Sequence, residues 1–313
     1  MLCLLQSAGA IASDPSELLT AAADIRSQEQ AEHQTSDEHS ILVVMGLREE
    51  ANLLLKVAVL EEFDGLDVQL VYADAAASPN YHWPAADLYL AAGTRSCQLA
   101  LESLDNRSVL CTLLTEESFL GLEADQYDND RLAALVIDQP VSRQARVANV
   151  TYPSLTRFSV FSSAEQLHDI REDPIAVAGF PYSSSVSLPS QLSDALHSHD
   201  ALIAISDNSI FNASTLSTVL LTAYGYQKPV IGFSRAYVKA GALISSYSTP
   251  SQVLREIAHW LRSGPISFDD KPTISYPRYF SVIVNSSVAR SLGLIRSKRF
   301  SDGETLTDED FKQ

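Results

Sequence analysis

The sequence predicts an α/β protein of two Rossmann-like lobes with parallel sheets, and three observations carry that prediction. Buried-strand and helix patterns alternate from Ile41 to Ile137, the order expected of a parallel sheet covered by helices. Asp138-Gln139-Pro140 then interrupts the register, and a second alternating series of similar size follows. Within it, Ala201–Phe233 reads as strand, helix, strand. A unit of that kind crosses over right-handedly and makes its two strands parallel.

Taken in order, Met1–Ala12 holds a short apolar segment and an Ala10-Ile11-Ala12 stretch that looks like a signal-peptidase site, without a basic region before it. Two readings stand: the remnant of a signal peptide that starts upstream, or a disordered terminus. Residues 1–39 form a leader and linker, polar and acidic from Ser13 onward with a helical stretch at Pro15–Ala31. Ile41–Met45 is a short apolar run ending at Gly46, the signature of a strand buried on both faces. Glu49–Phe63 has amphipathic helical spacing, and Val68–Tyr72, Leu88–Ala92 and Val109–Leu114 are further strands. A helix over Thr94–Leu104 separates the last two, and Leu132–Ile137 closes the first lobe, residues 40–140. The second lobe, residues 141–240, opens with a helix over Val141–Val150. Its strands are Phe158–Phe161, Ile175–Ala178, Ala201–Ile205 and Val230–Phe233. Leu216, Val219, Leu220 and Ala223 recur at helical spacing between the last two and stop at Gly225. Residues 297–313 read as a charged tail, frayed from Ser301.

Composition narrows the function. The chain has 313 residues, 46% of them hydrophobic, enough for one large or two medium domains. A net charge of −17 argues against nucleic acid, whose phosphates need a basic face, and equally against an anionic membrane surface. No apolar run reaches the roughly 18 residues that a membrane span needs. Cys3, Cys97 and Cys111 are too few and too irregular for a disulfide framework or a zinc site, so Cys97 and Cys111 are expected as buried free thiols. No G-x-x-x-x-G-K-[ST], G-x-G-x-x-G, G-x-S-x-G or H-E-x-x-H motif occurs, and the seven histidines are scattered. The expectation is therefore a protein that is not an enzyme and uses no cofactor or metal.

Ligands of open parallel sheets bind beyond the carboxyl ends of the strands. That edge carries Gly46, Thr115, Asp207, Asn208 and Ser234, with Tyr237 just beyond. Asp207 and Asn208 either contact a ligand or cap the helix that follows. Tyr237 either stacks on a ligand or packs between the lobes. Gly93-Thr94-Arg95-Ser96 follows a buried strand and opens a helix, a place where free amides and the dipole receive an anion. Thr94 and Ser96 hydroxyls add donors there, and Arg95 either pairs with an anionic group or points away as a surface arginine.

Several stretches resemble one known family, the ABC-transporter substrate-binding proteins that include tryptophan- and tyrosine-binding lipoproteins. They are Asp207-Asn208, Lys228-Pro229-Val230-Ile231-Gly232-Phe233-Ser234, Tyr237-Val238-Lys239-Ala240-Gly241-Ala242-Leu243 and Tyr247-Ser248-Thr249-Pro250. Val284-Asn285, Ala289 and Leu292-Gly293-Leu294 follow; upstream lie Ala92-Gly93-Thr94 and Asp138-Gln139-Pro140 with Ser142-Arg143-Gln144. Family members tend to carry a small residue or proline where this chain has Arg95. The resemblance covers roughly residues 40 to 295. It implies a periplasmic-binding-protein type I arrangement with three crossovers between lobes. On that basis residues 241–264 return to the first lobe and residues 273–296 to the second, the segments being Ala242–Ser263 and Tyr279–Leu294. It also implies a periplasmic, monomeric solute-binding protein that closes on an amino acid or similar small carboxylate and presents it to an ABC permease. The alternatives are a periplasmic sensing subunit for a membrane receptor kinase or cyclase, and an enzyme on a doubly wound sheet.

Overall fold

A computed structural model of the chain describes residues 40–311, except 47–48, 79–80, 105–106, 123–130, 164–169, 173, 265–273, 299 and 302. The predicted leader over residues 1–39, and Leu47 and Arg48 beside Gly46, lie outside the described residues. The first sheet holds β1 (Ile41–Met45), β2 (Val68–Tyr72), β3 (Leu88–Ala92), β4 (Val109–Thr112), β5 (Leu132–Leu135) and the two-residue β12 (Ile274–Ser275). Their order is β12-β5-β4-β3-β1-β2, with every pairing parallel. The central strands β1, β3, β4 and β5 are buried along their whole length, which is why they read as unbroken apolar runs. Alternate residues serve opposite faces. Val43, Leu90 and Leu110 pack with Val59 of α1 (Glu49–Glu62) and with Leu254 and Ile257 of α9 (Pro250–Arg262). A single turn, α2 (Ala73–Ala76), follows β2. On the other face Tyr89, Ala91 and Cys111 pack with Cys97 and Ala100 of α3 (Thr94–Ser103) and Phe119 of α4 (Glu116–Leu120).

The second sheet holds β6 (Arg157–Ser162), β7 (Ile170–Glu172), β8 (Ile175–Pro181), β9 (Ala201–Ile203), β10 (Val230–Gly232), β11 (Ile244–Tyr247) and β13 (Ser281–Val284). Its order is β13-β11-β10-β9-β6-β8-β7. The edge strands β7 and β13 run antiparallel and the other pairings are parallel. Helix α5 (Val141–Thr151) covers one face with Ala145 and Ala148. Helices α6 (Leu188–Ser198), α7 (Leu216–Gly225) and α8 (Arg235–Ala240) cover the other with Leu192, Val219 and Val238, and α10 (Ser286–Ser291) follows β13. At Gly232 an added Cβ would stand 3.0 Å from the Tyr237 Cβ, so the absence of a side chain lets α8 lie against β10.

Both sheets belong to one unit spanning residues 39–313. The chain passes between the sheets three times: after β5, after β11 and after β12. Four expectations need correction. The return to the first lobe begins near Thr249, not at residue 241, because β11 pairs with β10 and β13 and stays in the second sheet. Buried Ser245 and Ser246 interrupt its apolar pattern and hid the strand. Likewise β12 pairs with β5, so the passage to the second lobe starts at Tyr276 and not at residue 273. The tail is docked, not frayed: Phe311 stacks on Phe280 with ring centroids 5.7 Å apart, and Phe300 packs beside it. Finally, Cys97 and Cys111 are not free thiols. α3 lies directly over β4, which brings their Cα atoms to 5.4 Å, and they form a disulfide.

Two sets of hydrogen bonds hold the crossing segments together. Gln139 Nε2 donates to Ser248 Oγ (2.9 Å), which donates to the Tyr279 carbonyl (2.7 Å). Arg143, 6% exposed, donates from Nη1 to Gln139 Oε1 and to the Pro277 carbonyl. Its Nε and Nη2 form a fork to both Asp308 oxygens at 2.8 and 2.7 Å. Thus the C-terminal 3₁₀ turn, Asp308–Phe311, is tied into the junction of the lobes.

Candidate functional site

Where the chain leaves each parallel strand it delivers polar groups to one side of the molecule, and the passages between sheets supply the floor. Together these segments enclose a cavity of about 360 Å³. From the first lobe come Glu116, Glu117 and Leu120 of α4 and Asp138 beyond β5. The crossing segment contributes Gln139, Pro140 and Val141, followed by Ser142 and Gln144 in the first turns of α5, and Tyr276 from the third passage. The second lobe adds Ser162 and Ser163 after β6, Ile205 to Asp207 after β9, and Phe233 after β10. That volume is at the lower end of the range for small-molecule sites, and its mixture of apolar walls with a few convergent polar groups is typical of them.

The carboxylates are arranged in two ways. Asp207, 6% exposed, is satisfied by its own lobe. Its Oδ2 accepts from the amide and hydroxyl of Ser163, each at 2.7 Å. Its Oδ1 accepts from the Ser209 amide at 3.0 Å and from the Ser209 hydroxyl. Burial acts to raise its pKa, but these bonds outweigh burial and hold it below the usual aspartate value. The other carboxylates come from the first lobe. Asp138 Oδ2 accepts from the Glu116 amide (2.7 Å), and the Ser206 side chain of the opposite lobe also donates to it. Burial pushes its carboxyl up to about 6, with the neighbouring Glu116 charge adding to the effect. Glu116 Oε2 accepts from the Tyr276 hydroxyl at 2.6 Å. Burial, reinforced by Glu116 and Asp138, raises the pKa of that phenol. Glu117 Oε2 accepts from the Asn208 amide at 3.1 Å, a second bond between lobes.

Of the residues singled out in the sequence, Asp207 lines the cavity, and Asn208 stands beside it with its amide committed to Glu117. Thr115 caps α4, its hydroxyl accepting from the Ser118 amide at 3.1 Å; Ser234 caps α8 through the Tyr237 amide at 3.2 Å. Tyr237 is buried in the second lobe with its ring 5.0 Å from that of Phe233. Phe233 is the ring that lines the cavity, and burial drives the Tyr237 phenol up to about 12. Gly46, Gly93, Thr94, Arg95 and Ser96 are not among the residues lining the cavity. Gly93 makes the tight turn expected of it, with φ 90°, while Thr94 and Arg95 are exposed and Ser96 is buried in α3. Cavity residues not offered as site residues from the sequence include Glu116, Glu117, Ser162, Ser163, Ser206, Phe233 and Tyr276, together with Asp138 to Ser142 and Gln144. Of these, Ser142 and Gln144 entered only through the family resemblance, and Asp138 to Pro140 through it and as the break in the strand register. Ser162-Ser163 obeys the same strand-end rule that flagged Asp207. Asp138 obeys it too, standing directly after the apolar run Leu132–Ile137, whereas Gln139 to Val141 and Gln144 belong to the passage between lobes and its helix.

Among the described residues, no group of three or more His, Cys, Asp or Glu is placed to hold a metal ion. No described helix is long and apolar enough to cross a membrane.

No protein-family model and no curated protein matches the chain. Its structure is similar to the ligand-free, open structure of a substrate-binding protein with adhesive properties from Clostridium difficile. The TM-score is 0.55 at 15% identity, over 85% of this chain and 97% of the other. Two further structures also align at 15% identity. An ABC domain in complex with L-Trp from Streptococcus pneumonia has a TM-score of 0.47 over 82% of this chain and 95% of its own. A conserved domain protein from Vibrio cholerae has a TM-score of 0.46 over 84% and 97%. The first likeness shows that the chain shares the fold of that protein.

Proposed function

We propose that this is a solute-binding protein that holds a small organic ligand between its two lobes and delivers it to an ABC-type permease. The cavity carries the reading: both lobes and the segments that join them line it, so one ligand can touch all the parts that move in a hinge closure. A ligand bridging Asp138 and Glu116 on one side and Ser163 or Phe233 on the other binds the closed form more tightly than the open one, and shifts the population accordingly. The carboxylates of these walls suit an ammonium group, and Leu120, Ile205 and Phe233 suit an apolar body on the same small molecule. The Cys97–Cys111 disulfide supports a place outside the cytoplasm, where such bonds persist, and the periplasm is the compartment that goes with an uptake role.

Native mass spectrometry of the purified chain, with small-angle scattering before and after ligand removal, tests the reading. The expected result is a bound small molecule whose removal enlarges the radius of gyration. A filled cavity in Ser163→Trp should abolish the bound mass. If the protein carries nothing, and no ligand changes its dimensions, the reading fails.

A further inference from the structure

We infer that the cleft prefers a ligand of net positive charge, a small amine with an apolar body, over the matching zwitterion or acid. This deepens the solute-binding reading and rests on it. Four carboxylates line the cavity, Glu116, Glu117, Asp138 and Asp207, and among the described residues no lysine, arginine or histidine does. The positive end of α5 is the counterweight, with Val141 and Ser142 in the wall. It amounts to about half a charge, against four formal negative ones.

A second observation points the same way without involving charge. Gln144, 1% exposed, lines the cavity, and its Oε1 has no hydrogen-bond partner. The orientation of that amide follows from its neighbour: the Gln139 carbonyl lies 3.5 Å from Nε2 and can only accept. The oxygen is therefore the atom left over, and a buried acceptor without a donor is costly. An ammonium brings donors; a carboxylate brings none. Within the acidic set the groups differ in availability. Asp207 accepts four bonds from Ser163 and Ser209, whereas Glu116 accepts one from Tyr276 and Asp138 one each from the Glu116 amide and Ser206, and these two carboxylates lie close enough to repel each other. A cationic head between Glu116 and Asp138 relieves that repulsion, and an anionic head adds to it.

The test is calorimetry on the full chain with a matched series: 2-phenylethylamine, L-phenylalanine and 3-phenylpropanoate, and agmatine against succinate as aliphatic counterparts. The expected result is that an amine binds at least about tenfold tighter than its zwitterionic or acidic match. Asp138→Asn and Gln144→Leu should each weaken the amine by about tenfold, and Asp138→Asn should not weaken the acid. Asp138→Asn removes a buried carboxylate, so a folding defect is not expected to obscure the result. An acid or zwitterion that binds as tightly as the amine overturns the charge preference and leaves the solute-binding reading standing. Failure of every amine to bind also overturns it. In that case, binding of an acid, or a small molecule found by native mass spectrometry, separates this failure from that of the solute-binding reading.

Discussion

Asp207 and Asp138 both border the cleft, yet their surroundings give them opposite effects on stability. Asp207 accepts four hydrogen bonds from Ser163 and Ser209 and so ties the loop after β6 to the loop after β9. Asp207→Ala leaves those donors unpaired, and a loss of about 2–4 kcal/mol in a urea titration is expected; a loss below about 0.5 kcal/mol would show that water replaces the carboxylate. Asp138 is the reverse case. Its pKa is raised on folding, so the native state binds the proton more tightly than the unfolded chain does. Stability is then highest where Asp138 is protonated and falls as the pH rises from about 4 through about 6, by about 3 kcal/mol in all. Asp138→Asn should recover roughly that amount near pH 7.5 and nothing near pH 4. Equal stability of wild type and Asp138→Asn at both pH values would sink this account. The strand-end rule found Asp207, because a polar residue after an apolar run is visible in one dimension. It could not find Gln144 or Tyr276, whose place in the cavity depends on where the lobes meet.

At the scale of elements, the legible parts were those with a strong period. β1, β3, β4, α1 and α3 stand within two residues of their predicted limits because each is a run of apolar or amphipathic residues with a clear stop. β11 and β12 were hidden, the first by two buried serines and the second by its two-residue length. The Cys97–Cys111 bond was hidden for a different reason: its partners sit on a helix and on the strand beneath it, and the sequence does not show which residues face each other. That bond closes a short loop over a separation of 14 residues, for which chain entropy suggests about 3 kcal/mol. Cys97→Ser with Cys111→Ser should therefore lower stability by about 2–4 kcal/mol, as should reduction of the wild-type chain. Identical urea midpoints with and without reductant would contradict it.

Over the whole molecule, the three passages between lobes are bonded to one another and to the C-terminal turn through Gln139, Arg143 and Asp308. None of the atoms in the Arg143–Asp308 pair belongs to the cavity wall. Asp308 is 41% exposed, so Asp308→Ala should cost a modest 1–2 kcal/mol or so. Its larger effect should be on the relative freedom of the lobes: ligand affinity changes several-fold and the radius of gyration of the unliganded protein grows. Unaltered affinity and dimensions would reduce the clasp to an ordinary surface contact. The same threading sets an order in time. The face of the first sheet that carries Val43 and Leu90 is covered in part by α9, which the ribosome makes only after the whole run from α5 to β11. At roughly 5–20 residues per second, that face waits on the order of ten seconds for its cover, and the Arg143 clasp waits until Asp308 has been made. Neither lobe can be finished before the other has begun, so an incomplete chain displays bare apolar sheet to whatever chaperone meets it first.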